Sequence, residues 1–530
     1  MSDLHQKIVA VRTREGLSLP FRPQHLKERF VRYDGVEQAV ELRNYQVQAI
    51  WNLVLSPRFL LGDDTGLGKS LTSLTACAVL WDQRPESQKV VVLTTKSAVE
   101  QWGEEIKRFL SGVSVHTVSG TPTKRKKGYQ AFQDAPGPAI LVLGYRSAVQ
   151  DYDELSSLDY GVMLLDEASN FKTDTTQIHQ TVLHLARRAR WVWALTATLI
   201  KNRLMEGWGI YHVLVPDLFP TKNKFMYTYS CVQLQSVRGR QIPIVTGYLD
   251  EHIEMFREKI TPYYLGRAKH DVAKELPALS VVERRFRMSP KQITLYKEAL
   301  SGTLTVAGES KEVTPLTSVT YCQQIANHPG LMDTDLSGIA DGDSAKLECL
   351  LDILDNELEG KKVIVFSRFR RMIDILEETL KKRKIAAVRI TGSEDPKARQ
   401  KAAATFQDTQ SGIDIVLITT AAAEAINLQS ASALVFYDSP WSGGDFIQLI
   451  GRMIRIGSKH TNVLAYHLVA RGSIDVRVME VLRGKMKLIG SVMGERIQAE
   501  QPGSDVSVLF AGLQEDASRL AMTGKLDEDE

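Results

Sequence analysis

At 530 residues, with 43% hydrophobic and 24% charged side chains, the chain has an ordinary globular balance, and at about 150 residues per unit it has room for three or four units and several buried cores. No apolar run approaches the ~18 residues of a membrane span, and Cys77, Cys231, Cys322 and Cys349 lie too far apart for a zinc or redox motif, so the expectation is a soluble, cytoplasmic protein with reduced thiols. The formal net charge of +3 neither demands nor excludes nucleic acid, because a local basic groove can bind DNA on a nearly neutral protein.

Residues 1–38 are of mixed character and form an N-terminal accessory segment; Met1-Ser2-Asp3-Leu4-His5 has no signal-peptide pattern. Over 39–215, short apolar runs alternate with longer amphipathic segments. The runs are Phe59-Leu60-Leu61, Val90-Val91-Val92-Leu93, Ile140-Leu141-Val142-Leu143, Val162-Met163-Leu164-Leu165 and Trp191 to Leu195. Runs this short and uniformly apolar predict strands buried on both faces of a parallel sheet. Residues 216–335 lose the rhythm and predict a mainly helical insertion, with an irregular loop near Ser301 to Pro315. The rhythm returns over 336–485, at Val363 to Phe366, Ile415 to Ile418 and Ala433 to Tyr437. A tail, 486–530, ends on Asp527-Glu528-Asp529-Glu530 and is expected to be solvated. The predicted fold class is α/β, two parallel-sheet lobes with a mainly helical insertion between them.

Three motifs carry chemistry. Gly62-Asp63-Asp64-Thr65-Gly66-Leu67-Gly68-Lys69-Ser70 follows an apolar strand and precedes a helical pattern, the context of a phosphate-binding (Walker A) loop. Glycines let the backbone approach phosphate oxygens, and the helix N-terminus favours negative charge. Lys69 would reach the β- and γ-phosphates and Ser70 would hold Mg²⁺. The strict pattern has glycine where Asp63 stands, and a plain glycine turn fits the same residues. Second, the strand Val162 to Leu165 ends on Asp166-Glu167. Asp166 is placed to orient Mg²⁺ and Glu167 to polarise the attacking water; a pair of surface acids is the alternative, made less attractive by the order of the two motifs. Third, Arg452 and Arg455, three apart in Gln448 to Gly457, would share a helix face. Each has the planar fork that suits a γ-phosphate, although a solvated basic helix has the same pattern.

With these motifs in this order, the chain resembles the Swi/Snf-type (sucrose non-fermenting) ATPases of helicase superfamily two, over residues 40–480. The resemblance implies two RecA-like lobes with the nucleotide between them. Leu42-Arg43-Asn44-Tyr45-Gln46 is similar to the adenine-reading segment, with Gln46 on the base, and the family's own loop also carries Asp at its first position. Asp64, Gly66 and Gly68 join Lys69 and Ser70 as nucleotide-binding residues. Ser97 to Trp102, Leu143-Gly144-Tyr145-Arg146-Ser147 and Leu195 to Asn202 resemble DNA-contact and coupling segments. In lobe two Val365-Phe366-Ser367-Arg368-Phe369, Thr419-Thr420 and Asn427-Leu428 do so. The implied DNA contacts are Ser97, Trp102, Arg146, Ser147, Lys201, Ser367, Arg368, Thr419, Thr420 and Asn427. Tyr264 to Val272 and Gln323 to Pro329 resemble the family's own helical insertion. By resemblance Arg452 and Arg455 sense the nucleotide.

The chain departs from the family at Ser169, where histidine is usual, and at Ala421-Ala422-Ala423-Glu424-Ala425, where glycines are usual. Lys124-Arg125-Lys126-Lys127 and Lys381-Lys382-Arg383-Lys384 are expected to be solvated faces or DNA-path loops. The expected function is an ATP- and Mg²⁺-dependent motor on double-stranded or branched DNA, without sequence specificity. It would be a compact monomer of bacterial or viral type (in the host cytoplasm if viral), meeting replication, recombination or transcription proteins. A strand-separating helicase and an ATP-binding scaffold without turnover are the alternatives.

Overall fold

The structure is a computed structural model. It describes residues 19, 22–31, 37–200, 203–237, 240–268, 272, 277–306, 309–312, 315–332, 342–420, 426, 428–454, 460–493 and 513–520. The chain forms two compact units, one comprising mainly residues up to Val232 with Tyr248–Lys274, the other mainly Gln233–Gly247 with Glu275–Leu488.

The first unit is built on a seven-stranded sheet of β1 (Arg58–Leu61), β2 (Lys89–Thr94), β3 (Ser114–Val118), β4 (Ala139–Gly144), β5 (Val162–Asp166), β6 (Trp191–Leu195) and β7 (Tyr264–Leu265). Their order across the sheet is β7-β1-β6-β5-β2-β4-β3, and every pairing is parallel. Helices α1 (Asn44–Leu55), α2 (Lys69–Gln83) and α3 (Val99–Phe109) are among those that cover it. The central strands are apolar at nearly every position because both faces are covered: Val90, Leu141, Leu164 and Trp193 have no exposed surface.

The second unit holds a six-stranded sheet of β8 (Ala278–Phe286), β9 (Val363–Phe366), β10 (Ala387–Ile390), β11 (Ile415–Ile418), β12 (Ala433–Phe436) and β13 (Asn462–Ala470). The order is β8-β13-β12-β9-β11-β10, again all parallel. Helix α4 (Gly443–Met453) follows β12. Two apolar cores flank the sheet, one around Phe366, Phe406 and Phe436, the other around Leu376, Leu417 and Tyr437. Both sheets are those of RecA-like lobes, as the resemblance implied.

The segment 216–335 is not the mainly helical block expected. Helices Lys222–Tyr229, Asp250–Ile260, Pro290–Ser301 and Pro315–Asn327 are present, but so are the strands Cys231–Val237 and Arg240–Gly247 of a hairpin. Instead of an irregular loop near Ser301 to Pro315, Thr303–Val306 pairs antiparallel with Glu309–Glu312. Two further stretches join the main sheets: β7 lies beside β1, and β8 pairs with β13 over nine residues. The physical reason is alternation. In β8, Val282 and Phe286 pack on the lobe-two core while Leu279 and Val281 are exposed, a period of two spread over a charged edge strand. The segment is therefore divided between the two units.

The ends also pack further than their composition suggests. Lys27 N–H donates to the Phe109 carbonyl at 2.9 Å and Phe30 lies 5.2 Å from the Phe109 ring, so part of the accessory segment lies on lobe one. The helix Ile474–Met493 runs past the expected boundary at 485, and Leu513, in the tail, is buried in the cluster of Tyr296 and Ile474. Asp527 to Glu530 lie outside the described residues.

Candidate active site

The nucleotide candidates gather at the carboxyl ends of β1 and β5, where open parallel sheets bind ligands. Beyond β1 the chain turns through Gly66 (φ 83°) and Gly68 (φ 80°), a left-handed backbone that other residues enter only at a cost. A Cβ on Gly68 would stand 2.6 Å from the Gln46 side-chain nitrogen. Gln46 is thus packed on the loop: its Nε2 donates to the Leu67 carbonyl at 3.2 Å, and its Oε1 accepts from Arg43 N–H at 2.9 Å. Lys69 opens α2, and its Nζ donates to the carbonyls of Asp63 (2.7 Å) and Asp64 (3.3 Å). The Asp64 carboxylate accepts from Thr65 N–H at 2.6 Å. Ser70 stands in the first turn of α2, beside backbone N–H groups that have no partner within the helix.

Asp63, which departs from the strict loop pattern, is 1% exposed. Arg267 grips it with two parallel bonds, Nε to Oδ1 at 2.9 Å and Nη2 to Oδ2 at 2.6 Å. Arg267, in the segment that resembles the family's helical insertion, therefore serves the nucleotide loop. No spacing rule links positions 63 and 267; only β7 lying beside β1 joins them.

At the end of β5, Asp166 Oδ2 accepts from Thr94 Oγ1 at 2.8 Å and from Trp102 Nε1 at 2.7 Å. Both donors sit on Oδ2, which leaves Oδ1 for the hydration shell of a cation, so the residues present fit Mg²⁺. The Tyr145 hydroxyl fixes the Asp166 carbonyl at 2.6 Å. Burial, and then the neighbouring Glu167 charge, push the Asp166 carboxyl up to about 6. Glu167 has φ 52°, a left-handed backbone that is strained for a side chain of its size and is typical of functional turns. The strain is held by Asn170, whose backbone N–H and Nδ2 both donate to the Glu167 carbonyl at 2.9 Å. Ser169 lies in the short helix Ala168–Phe171 that follows. Beyond β6, between β1 and β5, Thr196 and Thr198 are buried, and among the described residues the Thr198 hydroxyl has no hydrogen-bond partner.

The DNA candidates divide into two groups. Arg146 is exposed, with Ser97 and Ser147 half-buried; they stand beyond β2 and β4, neighbouring strands in register at Thr94 and Gly144. The exposed Lys96 lies with them, a residue sequence reasoning missed although a lysine at a strand end is a visible signal. Trp102 does not join them: it is buried and serves Asp166. In lobe two Ser367 is also buried and bonds Asp438. Each of these contact segments has a residue whose donor is used inside the lobe. Arg368 is half-buried, its guanidinium stacked 4.2 Å from the Trp441 ring centre. Thr419, buried, and Thr420, half-buried, follow β11. Lys201 and Asn427, and the Ala421 to Ala425 departure, lie outside the described residues.

Arg452 is 8% exposed on α4. The helix stops at Met453 and Ile454 is extended; Arg455 lies outside the described residues. Asn327 and His328 of the insertion motif are buried. Asn327 accepts from the fully buried Lys346 at 2.8 Å and donates to Asp438 at 3.1 Å, so its side chain serves lobe two's interior. Half of the residues in the two basic runs are paired. Arg125, in the helix Pro122–Asp134 and not in a loop, is bidentate to Asp151 at 2.6 and 2.7 Å; Lys126 pairs with Glu154, Lys382 with Glu378 and Arg383 with Asp355.

Comparison with known proteins identifies the family. Residues 45–331 match the SNF2-related domain, and residues 345–457 the helicase conserved C-terminal domain. Protein CHROMATIN REMODELING 5 of Arabidopsis thaliana is 28% identical, over 92% of this chain and 30% of its own length. The ISWI chromatin-remodeling complex ATPase ISW1 of Saccharomyces cerevisiae is 26% identical, over 84% of this chain and 40% of its own. The chain thus spans less than half the length of these two relatives. The Sulfolobus solfataricus SWI2/SNF2 ATPase core in complex with dsDNA aligns over 96% of this chain and 99% of its own, at 20% identity and a TM-score of 0.41.

Proposed function

We propose, for a chain that belongs to the SNF2-related family of helicase-like ATPases, that it hydrolyses ATP to move along double-stranded DNA without separating the strands. The observation that carries the reading is the placement of Lys69 with its glycine loop, and of Asp166 with Glu167, at the carboxyl ends of β1 and β5 of one sheet. Loop N–H groups and Lys69 hold the phosphates. Ser70 and Asp166 hold Mg²⁺, which when bound neutralises phosphate charge. Thr94 and Trp102 keep the Asp166 carboxylate aimed. Glu167, fixed by its turn, orients and polarises the attacking water. By the family resemblance Arg452 is the residue that senses the γ-phosphate, with the planar fork that suits it.

Lys96, Ser97, Arg146 and Ser147 in lobe one, with Arg368 and Thr420 in lobe two, suit phosphate oxygens and offer no base readout. The test pairs two assays. With ATP, the protein is expected to strip a third strand from a triplex while leaving a plain, forkless duplex paired. Efficient unwinding of that duplex with no triplex displacement would overturn translocation in favour of strand separation. Absence of DNA-stimulated hydrolysis would overturn the motor altogether.

A further inference from the structure

Asp63 and Arg267 form a buried ion pair on which neither the phosphate chemistry nor the DNA contacts depend directly. The aspartate side chain is 1% exposed and the arginine 10%. The arginine does more than neutralise the acid. Its Nη1 donates to the Tyr45 carbonyl at 2.6 Å and to Gln48 Oε1 at 3.1 Å, both on α1, and its guanidinium lies 5.3 Å from the Tyr45 ring centre. One planar fork therefore ties the phosphate loop to the helix that carries Gln46. The backbone repeats the tie: Gly62 N–H donates to the Leu265 carbonyl at 2.7 Å and Asp64 N–H to the Arg267 carbonyl at 3.0 Å. The approach is close enough that a Cβ on Gly62 would stand 2.4 Å from the Tyr264 ring. Thus four consecutive residues, Tyr264 to Arg267, brace the loop from the side away from β6.

We infer that Arg267 is a positioning residue of the nucleotide site, holding the phosphate loop and α1 in one register through Asp63, and that this is why the loop carries aspartate where the strict pattern has glycine. Lysine could not replace it, because a point charge cannot bond both Asp63 oxygens and α1 at once. The inference rests on the ATPase reading for its catalytic consequence, but not for its structural one.

The test uses the full chain with Arg267→Gln, Asp63→Asn and the double variant. Amide hydrogen exchange without nucleotide reads the brace itself: Gly62 and Asp64 amides are expected to exchange faster in each variant, while those of β4 keep wild-type protection. ATP hydrolysis reads the consequence. Each single variant is expected to lose roughly 10- to 100-fold in kcat/KM, the scale of a misplacement of about 1 Å, and the double variant no more than the worse single. Arg267→Lys should recover little. Wild-type exchange at Gly62 and Asp64 in folded variants would overturn the brace, as would losses that simply add in the double variant. If the wild type hydrolyses no ATP while the exchange result holds, the ATPase reading fails and the brace stands. Should Arg267→Gln fail to fold, Asp63→Asn carries both readouts.

Discussion

Glu167 and Asp166 are adjacent in sequence but have separate tasks, and single substitutions separate them. Glu167→Gln keeps size and the strained turn but loses the charge that polarises water. It is expected to bind a fluorescent ATP analogue like the wild type while phosphate release falls by roughly 10²-fold or more. Lys69→Ala is expected to weaken binding itself. Wild-type turnover by the Glu167→Gln protein would remove Glu167 from the reaction. Trp102 gives a sharper test, because sequence placed it on DNA and the structure places it on Asp166 at 2.7 Å. Trp102→Phe removes the indole donor, with some buried ring volume, and should cost roughly 10- to 100-fold in hydrolysis, the usual effect of losing a group that orients a metal ligand. Its DNA affinity, measured by anisotropy with a labelled duplex, should be unchanged; loss of affinity with normal basal hydrolysis would restore the DNA-contact assignment.

Among the elements, the two sheets are braced differently. In lobe one the brace is β7 beside β1. In lobe two it is a buried polar chain: Asp475 bonds Lys346, Lys346 bonds Asn327, and Asn327 bonds Asp438. Asp438 in turn accepts from Ser367 and from Arg368 N–H at 2.9 Å. The chain fixes the carboxyl ends of β9 and β12 to the helix Pro315–Asn327. Lys346→Ala leaves Asp475 buried without its cation and is expected to cost about 3–5 kcal/mol, read as a lower denaturation midpoint with an unchanged slope. Lys346→Met with Asp475→Leu, which removes both charges, should recover much of that loss; a Lys346→Ala midpoint like the wild type would mean that the chain holds nothing in place.

For the whole molecule, the motor reading requires both lobes and a charged track. Arg452→Ala is expected to cut DNA-stimulated hydrolysis by up to ~10³-fold while ATP binding changes little, because Lys69 and the loop donors remain. Arg455→Ala is the companion variant, and normal hydrolysis by both would refute the two-lobe mechanism. Duplexes of any sequence should stimulate hydrolysis alike and more than single strands do. Affinity should fall by about 0.9 log unit per log unit of salt for each phosphate neutralised. A salt-independent affinity would exclude phosphate contacts as the basis of binding.

The amino-acid sequence by itself determined the two α/β lobes, the nucleotide loop and the acid pair, because each is local. A strand buried on both faces must be a short apolar run, and a phosphate loop must be glycine between strand and helix, with its lysine at the helix start. It was less informative wherever an element was short, charged or at an edge: β7 has two residues, and β8 hides its alternation among Glu283, Arg284 and Arg285. Only the tertiary structure decided which polar residues face inward. Trp102 and Ser367 look in sequence like donors to DNA, and Asn327 and Arg267 like parts of a helical insertion. Each is instead engaged within its lobe by a carboxylate tens to hundreds of positions away, since a buried charge must find its partner in space and the chain sets no rule for that distance.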